Sequence, residues 1–259
     1  MTGPPPPGVL AAFGLRGEPV RLTGGQGEAF RVGDAVTKPV LDAQEAAWCA
    51  ASLAELPVDG LRLARPRAAG DGRWVVDGWV AWQHVAGEPA PDRWDEVLAV
   101  GRRLSTALAR LDPPGLLRHR RHRWAVADRA AWGEERVDVS PTLAPLVDRL
   151  TASLRPIDLP AQVVHADLAG NVLFADGQDP AVIDVSPYVR PAGFALAVVV
   201  VDALAWSGAD PSLVHALDDE PEAHQLLRRA VLFRLFAAAD PDAERRAHEP
   251  VVDLLQRRP

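Results

Sequence analysis

The stretch His165-Ala166-Asp167-Leu168-Ala169-Gly170-Asn171 places an acid and an amide four residues apart, directly after the apolar run Val163-Val164. A carboxylate on a loop behind a buried strand can accept a proton from a substrate hydroxyl, which is the task expected of Asp167. Asp184 follows Asn171 by 13 residues. Asn171 and Asp184 offer one neutral and one anionic hard oxygen donor, the ligand type Mg²⁺ prefers. The pair Asp176-Gly177 is a turn signal, and a turn there folds 172–175 back on 181–185 and brings Asn171 and Asp184 together. His165 is placed to brace the loop.

A second chemical signal is compositional. Of 28 basic side chains only one, Lys38, is a lysine, and Asn171 is the only asparagine. Ala, Leu, Arg, Val, Pro and Gly dominate, the bias of a GC-rich genome. On a solvated surface arginine replaces lysine at little cost; it fails where a compact ammonium must fit a tight place. Both surviving residues fall where chemistry would want them.

The elements that must position these residues follow from the patterning. Residues 20–22, 28–32, 35–40, 61–66, 73–76 and 78–85 read as strands, with Gly33-Asp34, Asp71-Gly72 and Asp77-Gly78 as turns. One helix interrupts them at 43–56, carrying Ala46, Cys49, Leu53 and Leu56 on one face. Helical periodicity returns over 93–110, 125–133, 142–154, 193–207, 222–238 and 242–257, with a compact β region inserted between 161 and 187. The expected fold is therefore α+β and two-lobed: a loose tail at 1–8, a small β-rich lobe at 9–85 and a larger helical lobe at 86–259. A charge of −7 does not suit nucleic acid or an anionic membrane as a partner of the whole surface. The single Cys49 excludes an internal disulfide and a cysteine zinc site. The opening MTGPPPPGVL lacks a basic and a long apolar region, and the apolar run at 194–206 is interrupted by Asp202, so a cytoplasmic protein without membrane spans is expected.

The order H-x-D-x-x-x-N, turn, I-D over residues 165–184 resembles the catalytic loop and metal-binding Asp of the aminoglycoside phosphotransferase/choline kinase branch of the protein-kinase-like fold. Within that branch the likeness is to an uncharacterised high-GC bacterial subgroup, and it brings no acceptor with it. The resemblance implies ATP and Mg²⁺ as cofactors and a small-molecule hydroxyl as acceptor. It implies Asp167 as the catalytic Asp, Asn171 and Asp184 as metal ligands, and Asp202 as an acid that braces the catalytic loop's backbone. Three features depart from the family pattern: the Asp-to-Asn interval is four where five is usual, Ala166 replaces glycine, and VSPYVRP follows Asp184 where Trp-Glu is common. Gly170 is a residue that can permit the tighter loop.

On the same resemblance, Gly25, Gln26 and Gly27 would present backbone N–H groups to the phosphates and Lys38 would stand beside them. The loop is neither a Walker A nor a dinucleotide fingerprint, since Phe30 occupies the place of the last glycine. Glu45 is the candidate helix partner of Lys38, and Asp42-x-x-Glu45 is equally a helix start. The backbone at Trp82, Gln83 and His84 lies where a nucleobase would be held. Tyr188 and Arg190 are candidates to face substrate. The arginines of Leu116–Trp124 (118, 120, 121 and 123) read as a solvated loop, with RNA contact as an alternative. A nucleotide-binding regulatory protein without catalysis is the other alternative to an enzyme.

Overall fold

In a computed structural model residues 3–23, 27–90 and 92–257 are described. Pro6, with φ −59° and ψ 150°, leads into helix α1 (Pro7–Ala12). The expected tail thus gives way to structure at Pro7. Proline fits the first helical turn, where it has no N–H to lose, and Val9 is fully buried. Strands β1 (Val20–Arg21), β2 (Phe30–Val32) and β3 (Ala35–Pro39) follow, then helix α2 (Ala43–Ala54) and strands β4 (Arg62–Leu63), β5 (Pro66–Arg67) and β6 (Trp79–Gln83). Five of these strands form one sheet in the order β1-β2-β3-β6-β5. Its turns use the glycines the sequence signalled. Gly33 has φ 60° between β2 and β3, and both Asp77 (48°) and Gly78 (76°) are left-handed, as a two-residue hairpin turn of the I′ kind requires. Residues 73–76 do not extend that sheet; only an isolated bridge of Val76 to Trp79 forms, because the Asp77-Gly78 turn closes at once.

One face of the sheet packs on α1. In β2, Phe30 and Val32 are buried while Arg31 is exposed. In β3, Ala35 and Thr37 are buried. Period-two alternation therefore turns Lys38 to the other face. Asp42 caps α2, its carboxylate accepting the N–H groups of Gln44 (2.8 Å) and Glu45 (3.1 Å). The helix buries Cys49, Ala50 and Leu53.

The chain then forms α3 (Trp94–Leu108), α4 (Arg123–Ala131), α5 (Ala144–Thr151) and β7 (Gln162–His165), followed by β8 (Val172–Leu173) and β9 (Ala181–Val182). It ends in β10 (Pro187–Arg190), α6 (Ala192–Trp206), α7 (Ala223–Phe236) and α8 (Pro241–Arg257). Two compact units result: 1–88 with 173–185, and 89–172 with 186–259. The first therefore extends three residues past the expected boundary at 85 and takes in the hairpin 173–185, which the sequence had placed with the helices. The cause is a parallel pairing of β4 with β9, Arg62 opposite Ala181 and Leu63 opposite Val182. Arg62 also donates to the carbonyls of Asp179 (2.7 Å) and Ala86 (3.0 Å).

The second unit is built on α6, in which residues 193–203 are all buried. A helix apolar on every side is a core helix. Phe194 of α6 lies 5.5 Å from Trp132 and 6.1 Å from Phe233 of α7, ring centre to ring centre. Strands β7 and β10 pair antiparallel, His165 opposite Pro187. No helix of the described residues is long and apolar enough to cross a membrane.

Candidate active site

Asp167 leaves the end of β7 on a loop held from both sides. His165 is almost fully buried, and its Nδ1 accepts the N–H of Ser186 at 3.1 Å. The N–H of Ala166 donates to the Ser186 carbonyl at 3.3 Å. A tight turn follows: the Asn171 N–H donates to the Leu168 carbonyl at 2.9 Å. Gly170 adopts φ 80° inside it, a conformation glycine reaches without steric cost, which is what the shortened interval needs. Asn171 Nδ2 donates to the Asp167 carbonyl at 2.6 Å. That contact points the amide nitrogen inward and leaves the amide oxygen as the atom with cation-binding chemistry.

The carboxylate of Asp167 is gripped by a residue the sequence did not single out. Arg234, on α7, donates through Nη2 to Asp167 Oδ1 at 3.0 Å. The same guanidinium donates to both oxygens of Asp202, at 2.8 and 2.5 Å. Asp202 and Arg234 are each 4% exposed in their side chains, whereas Asp167 is 46% exposed. Burial alone would lower the guanidinium pKa, but Asp202 and Asp167 outweigh it and raise it further. Burial pushes the carboxyl of Asp202 up against the opposing pull of Arg234. A buried charge pair of this kind holds only if both partners are present. Asp202 therefore acts on the loop through Arg234 and a side chain, where the resemblance implied the loop's backbone. No sequence signal marks Arg234, which is one of 27 arginines once Lys38 is subtracted from the 28 basic residues.

A cavity of about 320 Å³ opens on this arrangement, lined in part by Asp167, Gly170, Asp202 and Arg234 and by Trp94, Trp124 and Trp206. The guanidinium carbon of Arg234 lies 5.5 Å from the Trp124 ring centre and 5.4 Å from that of Trp206.

In the first unit, Lys38 Nζ pairs with Asp184 Oδ1. Asp184 sits in the left-handed region at φ 50°. A non-glycine residue held there is uncommon and concentrates at functional sites. It is fixed by its neighbours: Ala181 and Val182 are fully buried in the β4–β9 pair, and the Val185 carbonyl lies 3.6 Å from Cys49 Sγ of α2. The carboxylate beside Lys38 is thus that of Asp184, while Glu45 stands in the capped first turn of α2. Gly27 has φ 66°, and its carbonyl accepts from Arg21. Gly25 and Gln26 lie outside the described residues.

Two of the backbone donors expected to meet a nucleobase are engaged in the sheet. The Gln83 N–H donates to Arg65 (2.7 Å) and the His84 N–H to Asp34 (2.8 Å). Trp82 lies between Val36 of β3 and Pro66 of β5. Burial, with Arg31 nearby, holds the His84 imidazole below its ordinary value.

Tyr188 and Arg190, expected to face substrate, are core residues instead, 4% and 8% exposed. Pairing of β10 with β7 turns them inward. Arg190 holds Asp128 at 2.9 and 2.7 Å and Glu134 at 2.5 Å. Tyr188 packs edge-on to Phe233 with ring centres 5.5 Å apart. The Arg120 guanidinium covers its ring at 4.7 Å. Of the arginine cluster, Arg118, Arg121 and Arg123 are exposed and Arg120 is buried.

No family profile and no curated protein sequence matches the chain. Solved structures do. A microcompartment-associated aminopropanol kinase superposes with a TM-score of 0.59 at 16% identity, over 92% of this chain and 89% of that one. A thermostable mutant of the aminoglycoside phosphotransferase APH(4)-Ia, in ternary complex with ADP and hygromycin B, gives 0.59 at 16%, over 95% and 96%. The choline kinase LicA from Streptococcus pneumoniae gives 0.59 at 12%, over 95% and 96%. The fold is that of the protein-kinase-like phosphotransferases.

Proposed function

We propose that this protein is an ATP- and Mg²⁺-dependent phosphotransferase acting on a hydroxyl of a small molecule. One observation carries the reading: the carboxylate of Asp167 has one oxygen fixed by a buried Arg234 and stands half exposed at the mouth of a cavity. That is the arrangement of a base whose direction is set in advance. The shared fold with kinases of hydroxyl-bearing small molecules supports it.

In this reading the acceptor hydroxyl gives its proton to Asp167 as its oxygen bonds to the terminal phosphorus of ATP, and the bond to the ADP oxygen breaks. Lys38 neutralises phosphate charge, and Gly25–Gly27 contribute backbone N–H donors. Asn171, through its amide oxygen, and Asp184, through its carboxylate, would hold Mg²⁺, which supplies charge neutralisation on the phosphates. Mg²⁺ is commonly bound by one or two side chains together with phosphate and water oxygens, so two side-chain donors suit it.

Titration calorimetry tests the nucleotide part. ATP is expected to bind with Mg²⁺ and far more weakly without it, and Asp184→Ala is expected to remove that difference. Equal affinity with and without Mg²⁺ would overturn the metal assignment.

A further inference from the structure

Resting on the phosphotransferase reading, we infer that Arg62 is the positioning residue on which discrimination between nucleobases depends. It holds residues 85–87, which carry the unengaged backbone groups next to the segment expected to meet the base.

The sheet pins the chain on both sides of 85–87 and leaves those three residues open. On one side the N–H groups of Gln83 and His84 donate to Arg65 and Asp34, at 2.7 and 2.8 Å. On the other, the Glu88 N–H donates to the Phe174 carbonyl at 3.0 Å, and the Phe174 N–H to the Glu88 carbonyl at 2.9 Å. Between them Val85, Ala86 and Gly87 belong to no strand or helix. Among the described residues their backbone makes one hydrogen bond: the Ala86 carbonyl accepts from Arg62 Nη2 at 3.0 Å.

The guanidinium that makes this bond is itself anchored. Arg62 Nε donates to the Asp179 carbonyl at 2.7 Å. The Arg62 N–H donates to the Pro180 carbonyl at 2.8 Å, and Arg62 stands opposite Ala181 in the β4–β9 pair. One side chain therefore ties 85–87 to the hairpin that ends in Asp184, the partner of Lys38. The tie also orients the segment. In a planar peptide unit the N–H points opposite to the C=O. With the Ala86 carbonyl turned to Arg62, the Gly87 N–H faces away from the guanidinium. The Ala86 carbonyl is thereby withdrawn from the acceptors a base could use. Adenine donates from an exocyclic amine where guanine accepts through a carbonyl. Backbone groups tell the two apart only when their directions are fixed. A segment without ladder bonds must otherwise be ordered on binding, at a cost that a built-in tie removes.

The test is titration calorimetry with ATP, GTP and inorganic tripolyphosphate, each with Mg²⁺, on wild type, Arg62→Gln and Arg62→Lys. Wild type is expected to prefer one purine nucleotide by about tenfold or more, the scale of one mismatched hydrogen bond. Arg62→Gln is expected to shrink that ratio by about three- to tenfold and to leave tripolyphosphate affinity unchanged. Arg62→Lys keeps the charge without the planar fork and is expected to retain part of the ratio. Should Arg62→Gln not fold, Arg62→Lys carries the comparison. A loss shared equally by both nucleotides and tripolyphosphate would mark Arg62 as a purely structural residue and overturn the inference. So would an unchanged ratio, or a wild type that binds ATP and GTP alike; each leaves the phosphotransferase reading standing. Absence of nucleotide binding by wild type overturns both.

Discussion

Lys38 shows how much one residue can decide. Its ammonium meets Asp184, and a planar five-donor guanidinium presents its charge with a different geometry from that of a compact ammonium. Lys38→Arg is expected to lower kcat/KM on the order of 10²-fold, the scale of losing one oriented donor. It is expected to leave thermal stability within about 1 kcal/mol, because a partly exposed pair contributes little to folding. Full activity in Lys38→Arg would show that only the charge matters. The residues the sequence singled out were those whose types are rare here or whose spacing is demanding: His165, Asp167, Asn171 and Asp184, with the lone lysine; the structure pairs the last two and sets Asp167 and Asn171 on one tight turn. Arg234 was illegible for the opposite reason, since arginine is everywhere in this chain and its type carries no information. Tyr188 and Arg190 were misread because nearness to Asp184 along the chain suggested nearness to substrate, while strand pairing sends them to the core.

At the scale of elements, the local signals translated well. Alternation, Asp-Gly turns and helical periodicity foretold β2, β3, β6 and the six long helices to within a few residues. The β4–β9 pairing was not visible, because a two-residue parallel contact between positions 62 and 181 leaves no trace in local periodicity. That contact, with the antiparallel bridge of Glu88 to Phe174, is what joins the 173–185 hairpin to the sheet unit and so gives Asp184 its place. Gly87 makes the bridge possible. It has φ 137°, and a Cβ there would lie 2.9 Å from the Phe174 carbonyl oxygen. Both the conformation and a backbone neighbour oppose any side chain, so Gly87→Ala is expected to destabilise the protein by about 1–3 kcal/mol, read as a fall in the melting temperature. An unchanged melting temperature would mean the hairpin does not depend on this approach.

At the scale of the whole molecule, the helical unit is organised around buried charge as well as apolar packing. Arg234 with Asp202, and Arg190 with Asp128, both lie in its interior. Tyr188, the sole tyrosine, reports on that interior. Burial pushes its hydroxyl above the ordinary value of 10, despite the opposing charge of Arg120. The native state therefore keeps a proton that the unfolded chain releases near pH 10, and this group's contribution to stability is present below that pH and is lost as pH rises above it. The ultraviolet tyrosinate signal is expected only together with loss of helical circular dichroism. Tyrosinate formed in a folded protein would show that the ring is accessible.

The central claim is that Asp167 is the base of a phosphoryl transfer that the rest of the chain prepares. The most direct measurement is ATP-dependent phosphorylation of an acceptor by wild type and by Asp167→Asn, with nucleotide affinity measured on the same samples. The account predicts a loss of turnover of about 10²–10⁴-fold with ATP affinity unchanged. Turnover that survives Asp167→Asn, with folding intact, would contradict it.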